Sequence, residues 1–163
     1  IVIATLKGLL TSALGERINY VNASLEAKAR GIHVLEVKDE ASRDFAVGSL
    51  QTTTKGEAGG HIVAGPVFAD GDLRITSIDE FPVNVSPSRH MLFTRHRDMP
   101  GIIGQIGSLL GKYNVNIASM QVGRRIVRGE AVMVLSIDDP IPSELLELIL
   151  SMQGINEAYS VTL

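Results

Sequence analysis

An α+β fold in two small domains, the second with the element order βαββαβ, is what this sequence predicts, and three observations predict it. Residues 88–163 alternate short apolar strand segments with two stretches of helical spacing. Residues 1–87 have a different order, two helical stretches followed by strands. Pro82 and Pro87 punctuate the chain where a join between the two falls. At 163 residues the chain suits one domain or two small ones, and its 45% apolar content is ample for a packed core.

In the first half, Leu6-Lys7-Gly8-Leu9-Leu10 and Leu14 suit an opening helix. Residues 18–21 lead into a second helix over Ala23 to Ala29, closed by Arg30-Gly31. Residues 32–38 alternate apolar and polar, as a half-buried strand does. A long strand is expected over 45–54, turning at 55–60, with the next strand over 61–68. Asp70-Gly71 is a hairpin signal, and residues 73–78 return from it. Pro82 to Ser88 reads as the hinge.

The second half begins with a strand at Met91-Leu92-Phe93. Pro100 is expected in the first turn of a helix, where its missing N–H costs nothing and its φ is already helical. Ile102, Ile103, Ile106, Leu109, Leu110 and Tyr113 then lie along one helical face. Gly104, Gly107 and Gly111 inside that helix each cost roughly 0.5–1 kcal/mol against Ala, so they are expected where the helix packs closely on a sheet. Residues 117–122 read as a strand. Gly123-Arg124-Arg125 and Arg128-Gly129 flank a turn, and residues 131–137 form the next strand. Asp138-Asp139-Pro140 breaks the chain, residues 143–150 have helical spacing, Gly154 ends that helix, and 155–163 close as a strand. This is the ferredoxin-like order.

Composition removes several functions. Aromatic content is 4% with no Trp, so base stacking is not the main activity. Fifteen basic and eighteen acidic residues leave a net charge of −3, with no footprint for nucleic acid. Without Cys there is no thiol catalysis and no Cys-ligated metal, which fits a reducing cytoplasm. The apolar run 1–14 is too short to span a membrane and lacks the order of a signal peptide. Ile1 is not a start methionine, so a piece of a longer protein is expected. Gly107-x3-Gly111-Lys112-Tyr113 misses the phosphate-loop spacing and its Ser or Thr, and no Gly-x-Gly-x-x-Gly is present. The four His residues lack metal-ligand spacing.

What remains is one constellation. His96 and Asp98 precede Pro100-Gly101-Ile102-Ile103, and Asn116 returns at the next strand. If the side chains converge, a helix N-terminus, a carboxylate, a carboxamide and an imidazole suit a small zwitterion such as a free amino acid. Backbone N–H groups near Gly101 to Ile103 would take its carboxylate, and Asp98 would balance its ammonium. The plainer alternative is that Asp98 only caps the helix and Asn116 only makes a turn. Arg124, Arg125 and Arg128 suit either an anion site or a solvated turn, and Arg74 with Lys28 and Arg30 is a second candidate anion site.

His96-x-Asp98-x-Pro100-Gly101, Val115-Asn116-Ile117 and Met120-Gln121-Val122-Gly123-Arg124 make residues 88–163 closely resemble an ACT domain, a small amino-acid-sensing module. Asn19-Tyr20-Val21-Asn22-Ala23, Ala27-Lys28-x-Arg30-Gly31-Ile32, Leu6-Lys7-Gly8-Leu9-Leu10 and Val63-Ala64-Gly65 with Asp70-Gly71 make residues 1–87 resemble the intervening domain of three-domain phosphoglycerate dehydrogenases. Ser24 departs from that pattern, which expects Pro. The resemblance implies the regulatory C-terminal half of a 3-phosphoglycerate dehydrogenase, an oxidoreductase of L-serine biosynthesis. Its NAD and catalytic groups would lie outside this chain, and no cofactor would bind within it.

The resemblance also implies L-serine as effector, held by His96, Asp98, Pro100, Gly101, Ile102, Ile103 and Asn116 at the seam of a homodimer. The strand at 91–94 is expected to be an open edge that pairs with its copy. Two other readings stay open. One is a subunit of an iron–sulfur serine dehydratase, whose Ser-rich opening segment has no counterpart before Leu6. The other is a stand-alone sensing module.

Overall fold

The computed structural model describes residues 2–37, 46–56, 59–68 and 72–163. The chain divides into two compact units, residues 1–42 and 43–163.

In the first unit, helix α1 (Val2–Leu14) is followed by a short 3-10 turn and helix α2 (Ala23–Ala29). Leu6, Leu10, Ile18, Ala23 and Ala27 form its core, with Val2, Leu14 and Ile32 against it. The two Asn residues of the 19–23 motif hold each other. Asn19 Oδ1 accepts the N–H groups of Val21 and Asn22, at 2.9 and 3.1 Å, while Asn22 Oδ1 accepts that of Asn19 at 2.8 Å. Asn side chains thus replace the backbone partners that a sharp corner removes. The strand expected over 32–38 is absent at 32–37, and Lys38 lies outside the described residues. Alternation alone makes no strand without a ladder to join, and Leu35 and Val37 stand exposed.

The second unit holds two sheets. The first has the order β1-β2-β3-β4, built from β1 (Ala46–Thr53), β2 (Ile62–Phe68), β3 (Ile75–Ile78) and β4 (Phe81–Val85), antiparallel throughout. The expected Asp70-Gly71 turn lies outside the described residues. The hinge expected at 82–88 is instead largely strand β4. Pro82 does not break β4, because an edge strand tolerates a residue with no N–H to give. The turn into β4 uses Asp79 and Glu80, both at positive φ (49° and 66°), with no Gly or Asn to announce it.

The second sheet comprises β5 (His90–Arg97), β6 (Ile117–Arg124), β7 (Glu130–Ile137) and β8 (Ile155–Thr162), with helices α3 (Ile102–Lys112) and α4 (Ser143–Leu150). The expected α+β class and βαββαβ order are both present. Its strand order is β6-β7-β5-β8, so β5 is central and the edges are β6 and β8. This corrects the expected open edge at 91–94, which is flanked by β7 and β8. Apolar character there reflects burial on both faces rather than an unpaired edge.

On one face Leu92, Met133, Leu135 and Ile137 pack with Ile102, Ile106 and Leu110 of α3 and Leu145 and Ile149 of α4. On the other face Met91, Val132 and Val134 pack with Ile78, Phe81, Val83 and Val85. β7 is covered on both sides, so all of Ala131 to Ile137 is buried and shows no alternation. Each large side chain so buried contributes about 1.5–3 kcal/mol. Gly123 is required where β4 crosses β6, because a Cβ there would stand 2.2 Å from the Pro82 carbonyl oxygen. The helix glycines have no such reason. A Cβ on Gly104, Gly107 or Gly111 meets nothing within 4 Å, so close packing on the sheet does not explain them.

Candidate functional site

Period 2 places Leu92, Thr94 and His96 on the helix-covered face of β5. Thr94 and His96 are its buried polar pair. His96 Nδ1 lies 3.4 Å from Thr94 Oγ1, and its Nε2 is buried without a partner among the described residues. Burial pushes the imidazolium below its ordinary range, only partly offset by Thr94 and the Asp98 charge, so the ring is neutral at physiological pH.

Beyond β5 the chain turns into α3. Pro100 is not in the first helical turn. It precedes the N-cap Gly101, which sits at φ 92°, and the Ile102 N–H reaches the Met99 carbonyl at 3.4 Å. This is a turn with Pro second and a positive-φ Gly third, the type II pattern. It leaves N–H groups of the first helical turn, at Ile103 and Gly104, without helical acceptors.

Asp98 does not cap α3. Its carboxylate accepts Arg124 Nη1 at 2.8 Å and the Arg128 N–H at 3.1 Å, and its own N–H donates to the Gly129 carbonyl at 2.8 Å. The Arg124 guanidinium, then the Arg128 N–H, hold this carboxyl below the usual carboxylate range. The sequence reading missed both partners. Their signal, the arginines of the 123–129 turn, was visible only as two options.

Asn116 is elsewhere. Arg97 stands against Glu130 and Arg124 against Ala131, whereas His90 and Ile117 both stand against Ile137. Asp98 and Asn116 therefore lie at opposite ends of the sheet, about 24 Å apart along the ladder. Asn116 donates through Nδ2 to Asp138 Oδ2 at 2.7 Å and accepts the Asp138 N–H at 3.2 Å. Within one chain the structure brings His96, Asp98 and the 100–103 turn to one end of the sheet and leaves Asn116 out. Three other candidate anion groups are engaged too: Arg74 donates to Asp72 at 2.8 Å, Arg30 to Glu26, and Arg125 to Glu80 at 2.8 Å.

Comparison with known proteins agrees with this architecture. Residues 1–79 match the D-3-phosphoglycerate dehydrogenase intervening domain, and residues 90–152 match the ACT domain. The whole chain is 59% identical to a stretch covering 29% of a D-3-phosphoglycerate dehydrogenase from Synechocystis. It is 37% identical over 162 residues to one from Archaeoglobus fulgidus, covering 98% of this chain and 30% of that one. A probable L-serine dehydratase beta chain from Bacillus subtilis is 25% identical over 160 residues, covering 98% of this chain and 71% of that one. The chain thus spans under a third of the length of these dehydrogenases. It joins a D-3-phosphoglycerate dehydrogenase intervening domain to an ACT domain, the regulatory C-terminal part of such enzymes.

Proposed function

We propose that this chain is the regulatory part of an NAD-dependent 3-phosphoglycerate dehydrogenase in the cytoplasm. Its ACT domain, residues 88–163, binds L-serine between two copies, and binding feeds back on chemistry carried by the rest of the protein. NAD and the catalytic groups belong to that remainder. The first domain, residues 1–87, links the two, and the parent assembles beyond a dimer.

The observation that carries this reading is the separation of Asp98 from Asn116. Among the described residues the β6 edge has a ladder partner only in β7. Two such edges joined antiparallel about a two-fold axis carry Asn116 of one copy to the Asp98 end of the other. The same axis sets the basic turn at Arg124, Arg125 and Arg128 beside Asp138 and Asp139 of the second copy. In each site the serine carboxylate meets the N–H groups of the 101–103 turn, and Asp98 with Asn116 of the second copy holds the ammonium and one carboxylate oxygen. The unpartnered His96 Nε2 supports its role toward the hydroxyl or carboxylate.

Calorimetric titration with L-serine, with glycine as control, tests the reading. Asp98→Ala and Asn116→Ala should each weaken binding roughly 10- to 150-fold, the loss of a charge-assisted hydrogen bond. Arg125→Ala should not weaken it. No binding by the wild type up to millimolar serine sinks the effector reading. The serine dehydratase alternative draws on the 25% identity to such a chain. Coding sequence upstream of Ile1 decides between them, a Gly-x-Gly-x-x-Gly with a downstream His marking the dehydrogenase.

A further inference from the structure

The turn between β6 and β7 has two holds. Asp98 grips it through Arg124 Nη1 at 2.8 Å and through the Arg128 N–H at 3.1 Å. Adjacent Arg125 reaches the other way, to Glu80 at 2.8 Å, in the turn between β3 and β4. That second turn is under tension, with Asp79 and Glu80 both at positive φ. It is also tied to β2, because Asp79 accepts the Ile62 N–H at 2.8 Å and lies 2.9 Å from His61 Nδ1. The strand that follows runs directly on β6. The Pro82 carbonyl occupies the space a Gly123 side chain would need, and Gln121 accepts the Asn84 N–H at 3.0 Å. A movement of the 124–129 turn therefore has a continuous path of ion pair and backbone contact into the β1–β4 sheet.

We infer that Arg124 and the effector's ammonium compete for Asp98, and that displaced Arg124 takes with it the neighbouring Arg125 grip on Glu80, loosening the β3–β4 turn. The inference rests on the effector reading above and adds how occupancy leaves the site. The Asp98 side chain is 22% exposed and that of Arg124 is 53% exposed, so Arg124 and an arriving ammonium approach the one carboxylate from its open side. Arg124 is the partner more easily withdrawn into water. An amino acid at Asp98 thus exchanges an ion pair inside the chain for one with the ligand, and this difference between two states is what a coupling requires.

Hydrogen exchange on the full chain tests the link in two arms. Without any amino acid, Asp98→Asn and Arg124→Gln should each speed exchange at residues 79–85 by roughly up to fivefold, the scale of an exposed ion pair. Unchanged exchange in both overturns the link. With L-serine, the wild type should show the same acceleration. Arg125→Gln should exchange quickly at 79–85 from the start, respond no further, and bind serine up to roughly fivefold tighter, because the grip on Glu80 no longer has to be broken. Arg124→Gln should bind serine roughly two- to fivefold tighter, because a competitor is gone. A loss of affinity there makes Arg124 a ligand of the effector and overturns the competition. Serine that binds the wild type but leaves exchange at 79–85 untouched overturns the inference while the effector reading stands. Absence of serine binding overturns the effector reading itself, and a positive first arm then identifies that failure.

Discussion

Asp98 and Asn116 stand at opposite ends of one sheet, seven ladder positions apart on β7, from Glu130 to Ile137. A single copy cannot apply both to one small ligand. The consequence is complementation. Asp98→Ala and Asn116→Ala chains should each bind L-serine poorly alone. In a mixed dimer one site has lost both residues and the other keeps both. Co-refolded mixtures should regain wild-type affinity at half the sites of each mixed dimer. Titration of separately tagged, doubly purified mixed dimers reads this, and no recovery means that the two residues do not meet across copies.

Gly107 offers a test of what covers α3. A Cβ there meets nothing within 4 Å, so Gly107→Ala should stabilise the isolated fold by roughly 0.5–1 kcal/mol through helix propensity. If that face packs on a second copy, the same change should raise the dimer dissociation constant. Denaturation together with sedimentation separates the two effects. Stabilisation without any change in association would remove the helix glycines from the interface.

His96 sets an acid limit on stability. Its folded pKa is depressed by burial below the ordinary 6.5. Between the folded and unfolded values the unfolded chain holds more protons, so stability falls as pH drops through 6.5 and levels off below the folded value. Above that range the group contributes no slope. The steepest loss attributable to it is about 1.4 kcal/mol per pH unit. Urea denaturation between pH 5 and 8 should show this slope in the wild type and its absence in His96→Gln.

Leu92 lies at the centre of the core under α3 and α4 and is fully buried. Leu92→Ala should cost about 2–5 kcal/mol. Val127→Ala, in the exposed turn, should fall within about 0.5 kcal/mol of wild type. Equilibrium denaturation of the two variants checks the ranking. A comparable loss at both positions would contradict the core assignment.

Local pattern carried far in this chain. Helix α2 and helix α4 lie at the residues that their spacing and flanks announce, because an amphipathic stripe between stop signals depends on neighbours three and four residues away. The same holds for the Pro100-Gly101 turn, although its Pro precedes the cap. Strand β4 was hidden because Pro82 reads as a breaker unless the strand is known to be an edge.

The sequence by itself determined the α+β class, the βαββαβ order and the residue types of the candidate site, all set by short-range periodicity and turn chemistry. Tertiary structure decided which strand is an edge, since order in a sheet is fixed by long-range pairing that no local pattern encodes. It decided, for the same reason, that Asp98 meets Arg124 across 26 residues and that Asn116 meets Asp138 rather than Asp98.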